Sequence, residues 1–106
     1  FAGDTAYSPR LAEIGQRLGP FDLAALPIGA YAPRWFMQSM HIDPAQAVQL
    51  HRELACRRSL AIHWGAFELA DEPLDEPPRL LEQALREQGV AATDFRLLRI
   101  GERWEL

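Results

Sequence analysis

Apolar positions in this chain come in short segments whose period switches between helical and extended. Ser8-Pro9 is a helix start, a capping hydroxyl followed by proline at the first helical position. Leu11, Ile14, Gly15 and Leu18 then follow at i, i+3, i+4 and i+7, and Gly19-Pro20 stops the helix. Leu23 to Ile28 is a continuous apolar run, the pattern of a strand covered on both faces, in which Pro27 fits only near the end. A turn-rich segment, Gly29 to His41, leads to a second start signal, Asp43-Pro44, and to a helix with Ala47, Val48, His51, Leu54 and Ala55 on one face. Ser59 to Trp64 is the next buried strand.

The second half is more polar. Glu68 to Pro78 is rich in proline and acid, and its acidic part reads as a solvated loop. A helix from about Pro78 to Gln88 carries Leu80, Leu81, Ala84 and Leu85 and ends at Gly89. Phe95 to Ile100 reads as a further strand, with Arg96 and Arg99 marking a sheet edge, and Gly101-Glu102 as a turn into Arg103 to Leu106. Strand and helix alternate without internal repeat, so the expected class is α/β, with a parallel or mixed sheet and crossover helices.

Composition narrows the function. At 106 residues and 48% hydrophobic content the chain has the size and core of one small domain. A net charge of −4 gives no support to nucleic-acid binding, which leaves a basic patch. Its 11 basic residues are all Arg, a bias of the source genome before it is a sign of anion recognition. Cys56 is the only cysteine, which excludes an intrachain disulfide and a zinc ribbon; beside Arg57 and Arg58 it reads as helix-end packing. No apolar stretch approaches the roughly 20 residues a bilayer span requires. Phe1-Ala2 runs directly into Gly3-Asp4-Thr5, so the chain is expected to begin inside a fold.

Chemistry concentrates in three places. Asp4 follows Gly3 at a predicted strand tip, where open α/β sheets place their sites, and the glycine lets the backbone turn toward a cation. An ordinary turn has the same local pattern. His63, in Ala-Ile-His-Trp-Gly at the end of a buried strand, suits either a metal ligand or a histidine hydrogen-bonded beside Trp64. The third place, Ile28 to Met37 and on to His41, is dense in aromatics and carries Arg34; it suits a pocket for a lipid-like or phosphate-bearing substrate, or a loop folded onto the sheet as core. His51, on the apolar face of a helix, reads as a core histidine. Two ligands do not close a metal site, since zinc takes three or four.

The order Phe-Ala-Gly-Asp-Thr, Gly19-Pro20-Phe21-Asp22-Leu23-Ala24, Pro27-Ile28-Gly29-Ala30-Tyr31, Pro33-Arg34-Trp35-Phe36-Met37, His41 with Asp43-Pro44, and Ile62-His63-Trp64-Gly65 resembles a known family. It is similar to the C-terminal part of the zinc-dependent hydrolases that act on N-acyl-phosphatidylethanolamine as a phospholipase D, within the metallo-β-lactamase fold superfamily. The resemblance runs from Phe1 to about Leu85. It implies half of an αββα sandwich with a mixed sheet, residues 1–106 being the C-terminal portion of a single domain whose N-terminal half, with the main His-x-His-x-Asp-His motif, is absent.

By the same resemblance Asp4 would bridge two zinc ions and His63 would be the last histidine ligand of one of them. His41 would be the catalytic residue at the mouth, contacting phosphate or assisting proton transfer, and Tyr31, Arg34, Trp35 and Phe36 would line the substrate site. Ala66 departs from the family's usual Thr after His-Trp-Gly. The implied partners are a phospholipid-type substrate, the missing half of the domain and peripheral contact with a membrane. Two other readings stand beside this one: a lactone or small-phosphodiester hydrolase of the same superfamily, and a non-catalytic module. If the helices cover only one face of the sheet, the isolated chain is also expected to dimerise.

Overall fold

The computed structural model describes residues 1–106. Its elements are α1 (Leu11–Leu18), β1 (Ala24–Pro27), α2 (Arg34–Met37), α3 (Pro44–Glu53), β2 (Ser59–Ile62), α4 (Glu76–Gln88) and β3 (Phe95–Arg96). The strands form one sheet in the order β1-β2-β3, and both pairings are parallel, so within this chain the sheet is parallel rather than mixed. Each crossover carries a helix, the requirement for parallel neighbours.

The register explains the core. Ala24 lies beside Ser59 and Leu26 beside Ala61, while Ser59 pairs on its other side with Phe95, so these residues share one sheet face. That face is buried under Ala47, Val48, Leu50 and Leu54 of the α3 segment and Leu81, Ala84 and Leu85 of α4. The opposite face, with Ala25, Leu60 and Ile62, is half-buried.

Local chemistry sets the helix ends. Asp43 and Gln46 form a reciprocal capping box at the start of α3: Asp43 Oδ1 accepts from Gln46 N at 2.8 Å, and Gln46 Oε1 accepts from Asp43 N at 3.2 Å. α4 begins at Glu76, earlier than its apolar pattern predicts because two prolines suit the first turn, and ends at Gly89 in the left-handed conformation.

Some expected elements shift. Ser8 caps no helix; it opens a turn in which Leu11 N donates to the Ser8 carbonyl, and α1 begins at Leu11. Gly15 is the only buried residue of α1 and lies where a Cβ would come 2.2 Å from the Glu53 carbonyl, so the glycine permits close packing on α3. Leu18 is 72% exposed. Ala55 leaves the α3 face, its φ of 53° belonging to the turn that ends the helix. No strand forms before Asp4; only Ala2 N donates, to the Ala25 carbonyl of β1. The last predicted strand shrinks to two residues, Ile100 stands free in solvent, and the turn at Arg99 to Glu102 leads to no further strand.

An apolar groove of about 390 Å³ separates α1 from the β1 edge, lined by Leu11, Ile14, Leu18, Leu23, Leu26 and Leu50 among others.

Candidate metal centre

Parallel strands end together, and the loops that leave β1 and β2 meet at the C-terminal edge of the sheet. Ile28 N donates to the Ile62 carbonyl, continuing the β1–β2 ladder to the tips. Gly29 then passes so close to β2 that a Cβ there would sit 2.3 Å from the His63 carbonyl. His63 has a φ of 59° and Ala30 a φ of 63°, left-handed conformations that cost a residue with a Cβ roughly 1–2 kcal/mol. Such strain persists where its surroundings impose it.

Three side chains converge above these tips. Asp4 Oδ1 lies 2.5 Å from His41 Nδ1, and Asp4 Oδ2 lies 3.8 Å from His63 Nε2. The two imidazoles stack with centroids 5.5 Å apart and planes inclined by 22°. One ligand atom from each of Asp4, His41 and His63 falls within 4.8 Å of the others. His41 Nδ1 is buried and makes no hydrogen bond, although Asp4 Oδ1 stands beside it. An orphaned imidazole nitrogen beside a carboxylate and a second imidazole fits a borderline divalent cation with nitrogen and oxygen ligands.

Neither His41 nor Asp4 belongs to regular structure. His41 leaves the turn after α2, its N–H held by the Met37 carbonyl at 2.8 Å, and Ile42 behind it is fully buried. Arg34 locks the same turn. Its guanidinium donates to the His41 carbonyl at 3.1 Å, the Tyr31 carbonyl at 3.3 Å and Gln46 Oε1 at 2.9 Å, and pairs with Asp43 at 3.5 Å. These internal partners occupy Arg34, which ties His41 to the cap of α3.

Tyr31 is buried, its hydroxyl donating to Glu76 at 2.5 Å; burial first, and Glu76 second, push its phenol well above the ordinary range. Trp35 and Phe36 instead face outward, 79% and 55% exposed, in edge-to-face contact with each other. The structure thus brings Asp4, His41 and His63 together and splits the four residues assigned to the substrate wall into an inner pair and an outer pair.

Sequence reasoning missed the role of the acidic loop. Glu72 accepts hydrogen bonds from the backbone N–H groups of Ala30, Tyr31 and Ala32, so this part of the segment anchors the β1 loop rather than lying solvated. Its partners are some 40 residues away in sequence, and no local pattern signals them. Two other readings agree with the structure. His51 is buried with Nδ1 2.8 Å from Ser59 Oγ, and burial lowers its pKa while Asp94 opposes. Burial also pushes the Cys56 thiol up, away from thiolate reactivity.

A parallel α/β sheet with a polar cluster at its C-terminal edge defines the class of open-sheet proteins that keep their chemistry at the strand ends. Residues 1–64 match the family described as the beta-lactamase superfamily domain, and the chain belongs to that family. Its fold is a portion of the metallo-β-lactamase type. The chain is 42% identical over 111 residues to N-acyl-phosphatidylethanolamine-hydrolyzing phospholipase D 1 of Caenorhabditis elegans, across 99% of this chain and 30% of that protein. It is 40% identical to the mitochondrial N-acyl-phosphatidylethanolamine-hydrolyzing phospholipase D of Saccharomyces cerevisiae, across 76% of this chain and 18% of that protein. A solved metallo hydrolase from the hyperthermophilic archaeon Ignicoccus hospitalis superposes with a TM-score of 0.65 at 24% identity, over 94% of this chain and 36% of that one. The chain therefore spans less than a third of the length of these curated relatives.

Proposed function

We propose that the protein containing this chain is a zinc-dependent phosphodiesterase that hydrolyses N-acyl-phosphatidylethanolamine or a closely related lipid. The observation that carries the reading is the convergence of Asp4, His41 and His63 at the strand tips, with one imidazole nitrogen left unpartnered. The similarity to two relatives named for that lipid supports the substrate class. In this reading Asp4 and His63 are ligands in a site for two zinc ions completed by other parts of the protein. Bound there, the ions would lower the pKa of a water and stabilise charge on phosphorus.

The chain's own residues do the rest. His41, positioned by Arg34 and the α3 cap, keeps Nδ1 against Asp4 and uses its other ring nitrogen to contact the phosphate or move a proton. Trp35 and Phe36 offer their exposed rings to the acyl chains and the membrane surface, where aromatic side chains sit well between lipid and water. Tyr31 and Arg34 support this wall from behind. The apolar groove between α1 and β1 takes the remainder of the domain, and in an isolated chain a second copy.

Incubating the intact protein with N-acyl-phosphatidylethanolamine in mixed micelles tests the substrate. The expected products are phosphatidic acid and an N-acylethanolamine, lost on His41→Ala with less than proportional loss of zinc. Turnover of a lactone or a small phosphodiester in place of the lipid would replace the substrate reading with the broader hydrolase one.

A further inference from the structure

The structure assigns Glu72 as a positioning residue for His63, an inference that rests on the metal reading above. Its carboxylate takes three consecutive backbone donors. One oxygen accepts from Ala30 N and from Tyr31 N, the latter at 3.1 Å, and the other accepts from Ala32 N at 3.0 Å. Asp71 N returns a bond to the Ala32 carbonyl at 3.1 Å, so two strands of loop are laced together. Successive N–H groups that point into one concavity form an anion nest, and here the chain's own carboxylate fills it. Ala30, at a φ of 63°, is the residue whose conformation turns the donors inward.

The nest begins one residue after Gly29, and Gly29 touches the metal cluster. Its carbonyl lies 3.4 Å from His63 Nδ1, and it packs against the His63 backbone with no room for a Cβ. A carbonyl accepts only, so a proton on Nδ1 leaves the Nε2 lone pair directed at the cluster, where Asp4 Oδ2 is 3.8 Å away. Glu72 lines the same groove as Gly29 and His63 but acts through the backbone of residues 29–32. Fixing where the Gly29 carbonyl stands fixes the tautomer and the ring plane of His63. Outer partners of this kind commonly govern metal affinity about 10- to 100-fold.

The test uses the intact, isotope-labelled protein stripped of metal and held at about pH 8, above the ordinary imidazole range. Nitrogen chemical shifts of the His63 ring report the tautomer, and titration with zinc alone reports affinity. Wild type is expected to show the Nδ1–H tautomer. Glu72→Gln and Glu72→Ala should shift it toward Nε2–H and weaken zinc about tenfold or more, with Glu72→Asp, which keeps the charge, in between. Leu81→Ala, a buried position in α4, is the control: it should lower the melting temperature and leave the tautomer alone.

A folded Glu72→Gln protein with wild-type tautomer and wild-type zinc affinity would overturn the assignment, as would an equal tautomer shift in Leu81→Ala. Should every Glu72 variant fail to fold, wild type alone decides, since slow exchange of the Ala30, Tyr31 and Ala32 amides and of a His63 Nδ1 proton is required. Zinc affinity unchanged in Asp4→Asn and His63→Ala would instead defeat the metal reading, and the Glu72 tautomer shift would remain separately readable.

Discussion

The two ends of the sheet are built from the same three strands and differ in how their polar groups are satisfied. At the N-terminal end, Phe21 bridges to Cys56 and Arg57 N donates to the Phe21 carbonyl at 2.8 Å, while Asp22 and Arg57 pair in open solvent at 3.1 Å. The left-handed residue there, Ala55, only ends a helix. At the C-terminal end, two left-handed residues, a glycine pressed against backbone and a carboxylate caught in a nest gather around His63, whose ring stacks on that of His41. Strain in one place makes a turn, and in the other holds a histidine where a ligand can be met.

Substitutions at the two places should therefore fail differently. In the intact protein Asp4→Asn or His63→Ala should lower turnover by more than about a hundredfold, since even outer partners of a metal cost 10- to 100-fold. With the metal removed, both should change the melting temperature little, because neither side chain is part of the core. Leu26→Ala should do the reverse, losing about 2–5 kcal/mol of stability while the folded fraction keeps its metal. Activity and calorimetry on the same preparations decide. A parallel loss of both quantities in all three variants would erase the distinction between the two ends.

Much of this contrast is legible in the sequence. Buried strands joined by crossover helices follow from the apolar runs Leu23 to Ile28 and Ser59 to Trp64 and from the capped helix at Asp43-Pro44, whereas the sheet is parallel where a mixed one is expected. Asp4 and His63 stand out because each closes or follows an apolar segment beside glycine. The hidden part is long-range. Whether Arg34 faces a substrate or its own chain depends on Tyr31, His41 and Gln46 folding around it, and whether Glu72 is solvated depends on a turn across the sheet. Apolar period likewise identifies α1 as a helix but not what its exposed Ile14 and Leu18 pack against.

That last point gives the next effect in size. The isolated chain should self-associate through the α1–β1 groove, because Ile14, Leu18 and Leu23 stand exposed along it. Light scattering over a concentration series should report a dimer, and Ile14→Glu should return it to monomer. A wild-type chain that stays monomeric at high concentration would contradict this.

Smaller effects separate the outward rings from the inward ones. Trp35→Ala and Phe36→Ala should reduce turnover of long-chain lipids several-fold more than short-chain ones, each buried methylene being worth about 0.8 kcal/mol. Equal losses at all chain lengths would mean that the rings serve no acyl contact.

The smallest effect concerns His51. Burial lowers its folded pKa below the ordinary 6.5, so the unfolded chain binds the proton more tightly and this contribution to stability is lost as pH falls through and below 6.5. Asp94, facing it from the loop before β3, opposes the shift. Denaturation of wild type and His51→Asn across that window should differ in slope by no more than about 1.4 kcal/mol per pH unit, the value for one proton. Identical slopes would show that His51 is not the group responsible.

The central claim is that the strand tips hold a metal through Asp4 and His63, and elemental analysis of the intact protein measures it. Wild type should retain zinc through gel filtration, with Asp4→Asn and His63→Ala each retaining less while Arg57→Ala, at the opposite end of the sheet, retains the full amount. Full zinc content in both ligand variants, with turnover undiminished, would contradict it.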